Sequence, residues 1–115
     1  MSNILNRSIT IAAGASQSDA FDTEGTILAG IVMPSAWTAA DLTLLASTHQ
    51  SGTFVPVFDD EGIEVQLTVA ASRAIGVSCA AMKLAPFRYM RVRSGTSATP
   101  VTQAAERVLQ LIFKG

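Results

Sequence analysis

Short apolar runs with a two-residue period, cut apart by small polar turns, make up most of the chain. In Arg7–Ala13, RSITIAA, Ile9 and Ile11 point one way and Ser8 and Thr10 the other, the alternation of a strand with one buried face. Ile63, Val65, Leu67 and Val69 alternate with Glu64, Gln66 and Thr68. Phe87–Ser94, FRYMRVRS, sets Met90 and Val92 against Tyr89, Arg91 and Arg93. Arg107–Lys114, RVLQLIFK, sets Leu109, Leu111 and Phe113 against Val108, Gln110 and Ile112. The second face of that last run is too apolar for full solvation. Two further runs, Thr26–Met33 and Leu42–Ala46, are apolar throughout and predict buried strands. Pro34 ends the first of them, because it has no N–H for a ladder.

Turn chemistry separates these runs. Asp59-Asp60-Glu61-Gly62 is the strongest signal and predicts a hairpin between Phe54–Phe58 and Ile63–Val69, with Pro56 marking an edge or bulge. Asp22-Thr23-Glu24-Gly25, Thr48–Thr53, Ala70–Arg73 and Gly95–Pro100 predict further turns and loops, and Phe21 a short strand. Ser78–Leu84 predicts one helical turn capped by Ser78, while Val101–Arg107 fits either an extended crossing or a short helix. Trp37 lies in the corner between the two buried runs, placed to lid the end of a core as a structural anchor. About eight or nine short strands at this spacing predict a single all-β domain over residues 1–115, an antiparallel β-sandwich of the jelly-roll kind.

Composition sharpens the picture. Hydrophobic residues make up 49% and charged residues 15% of 115, with net charge −1. An ordinary soluble domain carries about 25% charged residues, so much of this surface is Ala, Ser, Thr and apolar side chains. That suits a subunit of an assembly, and a homo-oligomer is expected. The small net charge offers no field to recruit nucleic acid or anionic lipid, and neither is an expected partner. The one cysteine, Cys79, excludes an intramolecular disulfide. The opening residues lack a basic-then-apolar leader, and no apolar run approaches the roughly 20 residues of a membrane helix. Residence in a reducing cytoplasm is expected.

Candidate chemistry is sparse. His49 is the only histidine and lies in a polar loop, and with Cys79 it makes no metal set and no nucleophile pair. Asp59, Asp60 and Glu61 supply too few oxygens for calcium and read as a solvated turn. Arg88, Arg91 and Arg93 with Lys83 form the one basic cluster, either a contact for a partner's acid or a charged outer face that prevents mispairing. Trp37, Phe54 and Tyr89 are the residues a sugar-stacking platform would need. No catalytic residue, cofactor or metal is expected, and the chain is not expected to be an enzyme. Val108, Gln110, Ile112, Tyr89, Arg91 and Arg93 are the candidate interaction residues.

Three strings carry a resemblance: GIVMPSAWTAADLTLLAS (Gly30–Ser47), the Asp59–Gly62 turn, and RYMRVRSGTSATPVTQAAERVLQLI (Arg88–Ile112). In that order they resemble short structural proteins of tailed bacteriophages and prophages, found among head and tail genes. The chain departs from that group after Ser47, where Thr48-His49-Gln50-Ser51-Gly52 stands in place of an Asp-Gly turn. The resemblance implies a non-enzymatic virion protein, assembled in the bacterial host cytoplasm, with a capsid-decorating or stabilising role preferred over a tail or fibre role. Its partners would be its own copies and other virion proteins such as the capsid. The rival is a carbohydrate-binding module that takes a glycan, since Arg88–Arg93 also resembles a late strand of jelly-roll modules of that class.

Overall fold

The computed structural model describes residues 4–77 and 83–115. The helical turn expected over Ser78–Leu84 lies mostly outside them, as does Cys79; Lys83 and Leu84 are helical. Among the described residues nine strands form: β1 (Ile4–Ile11), β2 (Phe21–Asp22), β3 (Ile27–Val32), β4 (Leu42–Ser47), β5 (Val55–Pro56), β6 (Gln66–Leu67), β7 (Ala74–Gly76), β8 (Tyr89–Ser94) and β9 (Arg107–Lys114). They build two antiparallel sheets. The first has the order β1-β9-β3-β7; the second has the order β2-β8-β4, with β5 and β6 both on the far edge of β4.

The pairing is nested. β1 pairs with β9, β2 with β8, β3 with β7, and β4 with β5 and β6. The further pairs β9–β3 and β8–β4 close each sheet. This is a long hairpin rolled into two layers, the jelly roll that the strand spacing predicts.

Two features go beyond the local pattern. β3 and β4, the apolar runs on either side of Trp37, do not share a sheet, so the Pro34–Asp41 corner carries the chain from one layer to the other. The Asp59–Gly62 turn does form. The Asp59 carboxylate accepts the N–H groups of Glu61 and Ile63 at 2.9 and 3.0 Å, and Asp59 N–H donates to Ile63 O at 2.8 Å. Its flanks pair as a short hairpin, Phe58 with Glu64 and Val57 with Val65, while the residues beyond them bond to β4. β5 opposes Leu45 and Ala46, β6 opposes Leu42 and Thr43, and the two lie end to end along β4. Residues 58–65 are an excursion from that line, pinned by the Phe58–Glu64 bridge and by Val65 N–H on Val57 O at 3.0 Å.

The core lies between the inner faces. Ile9, Ile11, Leu28, Ile31, Leu109, Leu111 and Phe113 come from the first sheet, and Phe21, Leu42, Leu44, Met90 and Val92 from the second. Phe21 and Phe113 meet across the layers, with ring centroids 5.8 Å apart and planes 54° apart. Trp37 is half-buried against this core, and its Nε1 donates to Ala40 O at 3.0 Å.

One end of the sandwich is tied by Gln103, only 1% exposed. Val101–Arg107 is extended up to β9, which settles the open choice in that segment. The Gln103 side chain accepts Thr38 N–H and Arg107 Nε–H at 2.9 and 3.1 Å, and donates to Thr38 O and Ser94 Oγ at 3.0 and 2.7 Å. Its backbone N–H donates to Ala15 O at 3.0 Å, and its carbonyl accepts Gly14 N–H at 2.8 Å. Gln103, through its side-chain amide and its backbone together, thus joins the β1–β2, β3–β4 and β8–β9 connections.

Candidate functional site

The two outer faces of the sandwich differ. Ile9, Ile11, Leu109, Leu111 and Phe113 point inward, so the alternation puts Asn6, Ser8, Thr10, Val108, Gln110, Ile112 and Lys114 outward. The register continues this face across the sheet. Ile112 is opposite Asn6 on one side and Gly30 on the other, Gln110 is opposite Ser8 and Val32, and Gly30 is opposite Gly76. A bulge between Leu28 and Gly30 resets the parity of β3, which brings Ile27 and Val32 to the outer side while Leu28 and Ile31 stay inside. Of these outward positions only Lys114, at one end, carries a charge.

The rest of that face is small or apolar. Val108 is 40% exposed and Val32 38%, while Ile112 is half-buried. Ser8 Oγ donates to Gln110 Oε1 at 3.0 Å, so even the polar centre is internally satisfied. Gly30 and Gly76 leave a shallow trough beside Ile112. A Cβ on Gly30 would sit 3.6 Å from Ile112 Cδ1, and one on Gly76 would meet nothing. Val108, Gln110 and Ile112 therefore fall together, on a flat and nearly uncharged sheet surface.

Tyr89, Arg91 and Arg93 lie on the outer face of the other sheet, so the six candidate residues do not form one surface. That second face is covered by its own chain. Arg93 is 4% exposed; its Nε donates to Thr43 Oγ1 at 3.0 Å and its Nη2 to Glu64 Oε2 at 2.6 Å. Glu64 Oε1 also accepts the N–H and hydroxyl of Ser97, both at 3.1 Å. The excursion over residues 58–65 and the Gly95–Pro100 loop thus fold over the strand, and a partner's acid has no access to Arg93. Arg91 stacks on Phe54, its guanidinium carbon 4.7 Å from the ring centroid. Arg88 forms a forked pair with Asp22 at 2.9 and 3.1 Å, and Lys83 pairs with Asp59 at 3.1 Å. Lys83, Arg88 and Arg93 are thus each paired with a carboxylate of the chain, while the buried Nε of Arg91 has no hydrogen-bond partner among the described residues.

These pairs shift two carboxylates. The Arg88 guanidinium hydrogen-bonded to Asp22 holds that carboxyl below its ordinary value. Asp59 is lowered by the Ile63 N–H and then by Lys83. Asp59 Oδ1 is committed to its own turn and Oδ2 to Lys83. Among the described residues no three His, Cys, Asp or Glu side chains converge, and His49 is exposed in its loop.

The three aromatic candidates are separated. Trp37 precedes the start of β4, whereas Tyr89 is opposite Ser47 at its end and Phe54 adjoins Val55, opposite Ala46. β4 spans roughly 17 Å, too far for one sugar ring to stack on all three. Near Phe54, a cleft of about 480 Å³ is lined by Ser47, Thr53, Val55, Pro56, Phe58 and Phe87.

Sequence reasoning misses Gln103, Thr38, Glu64 and Thr43, the polar residues that do most to fix the loops. Glu64 carries a signal only as the polar partner in an alternating run, and Gln103 carries none. Comparison with protein-family models, with curated proteins and with solved structures gave no match.

Proposed function

We propose that this protein is a non-enzymatic structural subunit of a tailed-phage particle. It associates with its own copies, and it decorates or stabilises the capsid through the outer face of the first sheet. The observation that carries this reading is that face: four strands wide, with Lys114 the only charge among its described outward strand positions and Val32, Val108 and Ile112 across it. A surface so poor in charge gains little from solvent and much from burial, at about 25 cal/mol per Å² of apolar area before ordering costs. The phage-like strings Gly30–Ser47 and Arg88–Ile112 point the same way, and jelly rolls serve widely in viral capsids. Such a protein acts in the virion, after assembly in the host cytoplasm.

Attachment by packing has a salt signature. Purified protein added to capsids that lack it should bind equally well at low salt and at about 1 M, where the Debye length is about 3 Å. Val32→Arg, at an exposed position in the middle of the face, should abolish binding without unfolding the chain. Release at high salt, or full binding by Val32→Arg, would refute docking through this face. Failure of the wild type to bind capsids at either salt would remove the decorating role.

A further inference from the structure

We propose that the free edge of β1 pairs with the β1 of a second copy across a two-fold axis. The first sheets of two molecules then join into one continuous eight-stranded sheet. This rests on the self-association in the reading above and stands without its capsid partner.

A jelly roll leaves four sheet edges, and natural proteins blunt such edges by shortening them. Here β2 has two residues, β7 three, and β5 and β6 two each. β1 has eight, all in register with β9, with no bulge, proline or lysine. It is the one long, regular edge among the described strands.

The hydrogen bonds show which of its groups are free. Thr10 N–H donates to Asp19 Oδ1 at 3.0 Å, and Thr10 O accepts Asp19 N–H at 3.3 Å. Thr10 therefore faces away from β9, and by alternation so do Asn6, Ser8 and Ile4. Ser18 and Asp19 cover the edge at Ile11 and Thr10. No described residue covers it at Ile4, Asn6 and Ser8.

Self-pairing follows from this geometry. An antiparallel partner uses all three free residues in one register: Asn6 opposite Asn6 of the second copy, and Ile4 opposite its Ser8, in both directions. That register opposes only uncharged side chains on the outer face, where a like-charge pair would be destabilising. On the inner side, Leu5 falls opposite Arg7, whose Nη2 is held by Glu24 Oε1 at 2.5 Å, so the two arginines do not oppose each other. A cyclic two-fold contact of this kind closes on itself and makes a dimer, not a filament.

The test is sedimentation of the full chain with edge variants. Wild type should run at twice the 12.0 kDa chain mass at micromolar concentration. Ser8→Pro removes an N–H that β9 does not use, and Asn6→Asp sets two like charges face to face. Each should run as a single chain and keep the strand signal in circular dichroism. In a Cys79→Ser background, oxidised Asn6→Cys should form a disulfide dimer, because Cα atoms of a hydrogen-bonded antiparallel pair lie about 5.5 Å apart. Thr10→Cys, on the covered part of the edge, should not. A wild type that stays monomeric at about 100 μM, a dimer that survives both edge variants, or equal crosslinking at positions 6 and 10 would overturn the proposal. Val32→Arg, two strands away, separates the readings: it should keep the dimer while losing the capsid.

Discussion

Replacing Gln103 with Met tests whether one buried side-chain amide ties the β3–β4 corner to the end of β8 and the start of β9. Met keeps the volume and discards every polar contact of the side chain. Four hydrogen bonds are lost, to Thr38 N–H, Thr38 O, Ser94 Oγ and Arg107 Nε. They are not equal. Ser94 is fully buried, so its hydroxyl has no water to turn to. The half-buried Arg107 recovers hydration and contributes little. Two or three groups left without partners, at about 1–1.5 kcal/mol each, come to about 2–4 kcal/mol. An unfolding entropy of about 2.1 cal/mol/K per residue over this chain converts that to a drop in melting temperature of about 8–16 °C. The backbone bonds of Gln103 to Gly14 and Ala15 survive the substitution, so the fold should persist and equilibrium unfolding in urea can be read as two-state. The local signature is the Thr38 amide, whose hydrogen exchange should speed up more than that of the β4 core. A loss below about 0.5 kcal/mol, or a large loss with Thr38 exchange unchanged, would show that the amide is not the tie argued here.

Other outcomes follow from the same structure. Glu64→Ala strands Arg93 in a buried site and should cost about 3–5 kcal/mol in urea unfolding, whereas the double variant with Arg93→Met should recover much of it. Trp37→Ala should cost about 2–3 kcal/mol by thermal denaturation, below the range for a fully buried ring because Trp37 is half-exposed. Asp22 and Asp59 have lowered values in the folded state. Their stabilisation is therefore present above the unfolded Asp value of about 3.9 and is lost as pH falls through the folded values. The urea midpoint should fall in that acid window, and fall less in Arg88→Ala, which frees Asp22.

The strands with strict alternation were legible in the sequence, and β1, β8 and β9 lie close to where the pattern puts them. So was the layer count, because spaced turns admit few other all-β solutions. The partner of a run was not legible. The hairpin at Asp59–Gly62 follows its local rules but reaches only as far as Val57 and Val65; beyond it β5 and β6 bond to β4, and only the wider sheet decides that. Arg93 shows the same limit: alternation places it outside the core, but not beneath the excursion and loop that bury it. The outward Val108, Gln110 and Ile112 were readable because β9 keeps one period throughout. The Gly30–Gly76 trough was not, since it arises from two residues 46 positions apart meeting in register.

The position of β9 in its sheet governs the order in which the molecule can be made. It is synthesised after the other eight strands, yet it lies between β1 and β3, with Ile9 meeting Leu109 and Ile31 meeting Leu111. Until Arg107–Lys114 exists, β1 has no sheet partner and one layer of the core lacks Leu109, Leu111 and Phe113. The second sheet, β2 to β8, needs no residue of β9 for its own pairing, but its apolar inner surface stays incompletely covered until β9 docks between β1 and β3. Folding is gated by the arrival of that strand. A truncation before Arg107 would therefore leave Leu42, Leu44, Met90 and Val92 without Leu109, Leu111 and Phe113 packed over them.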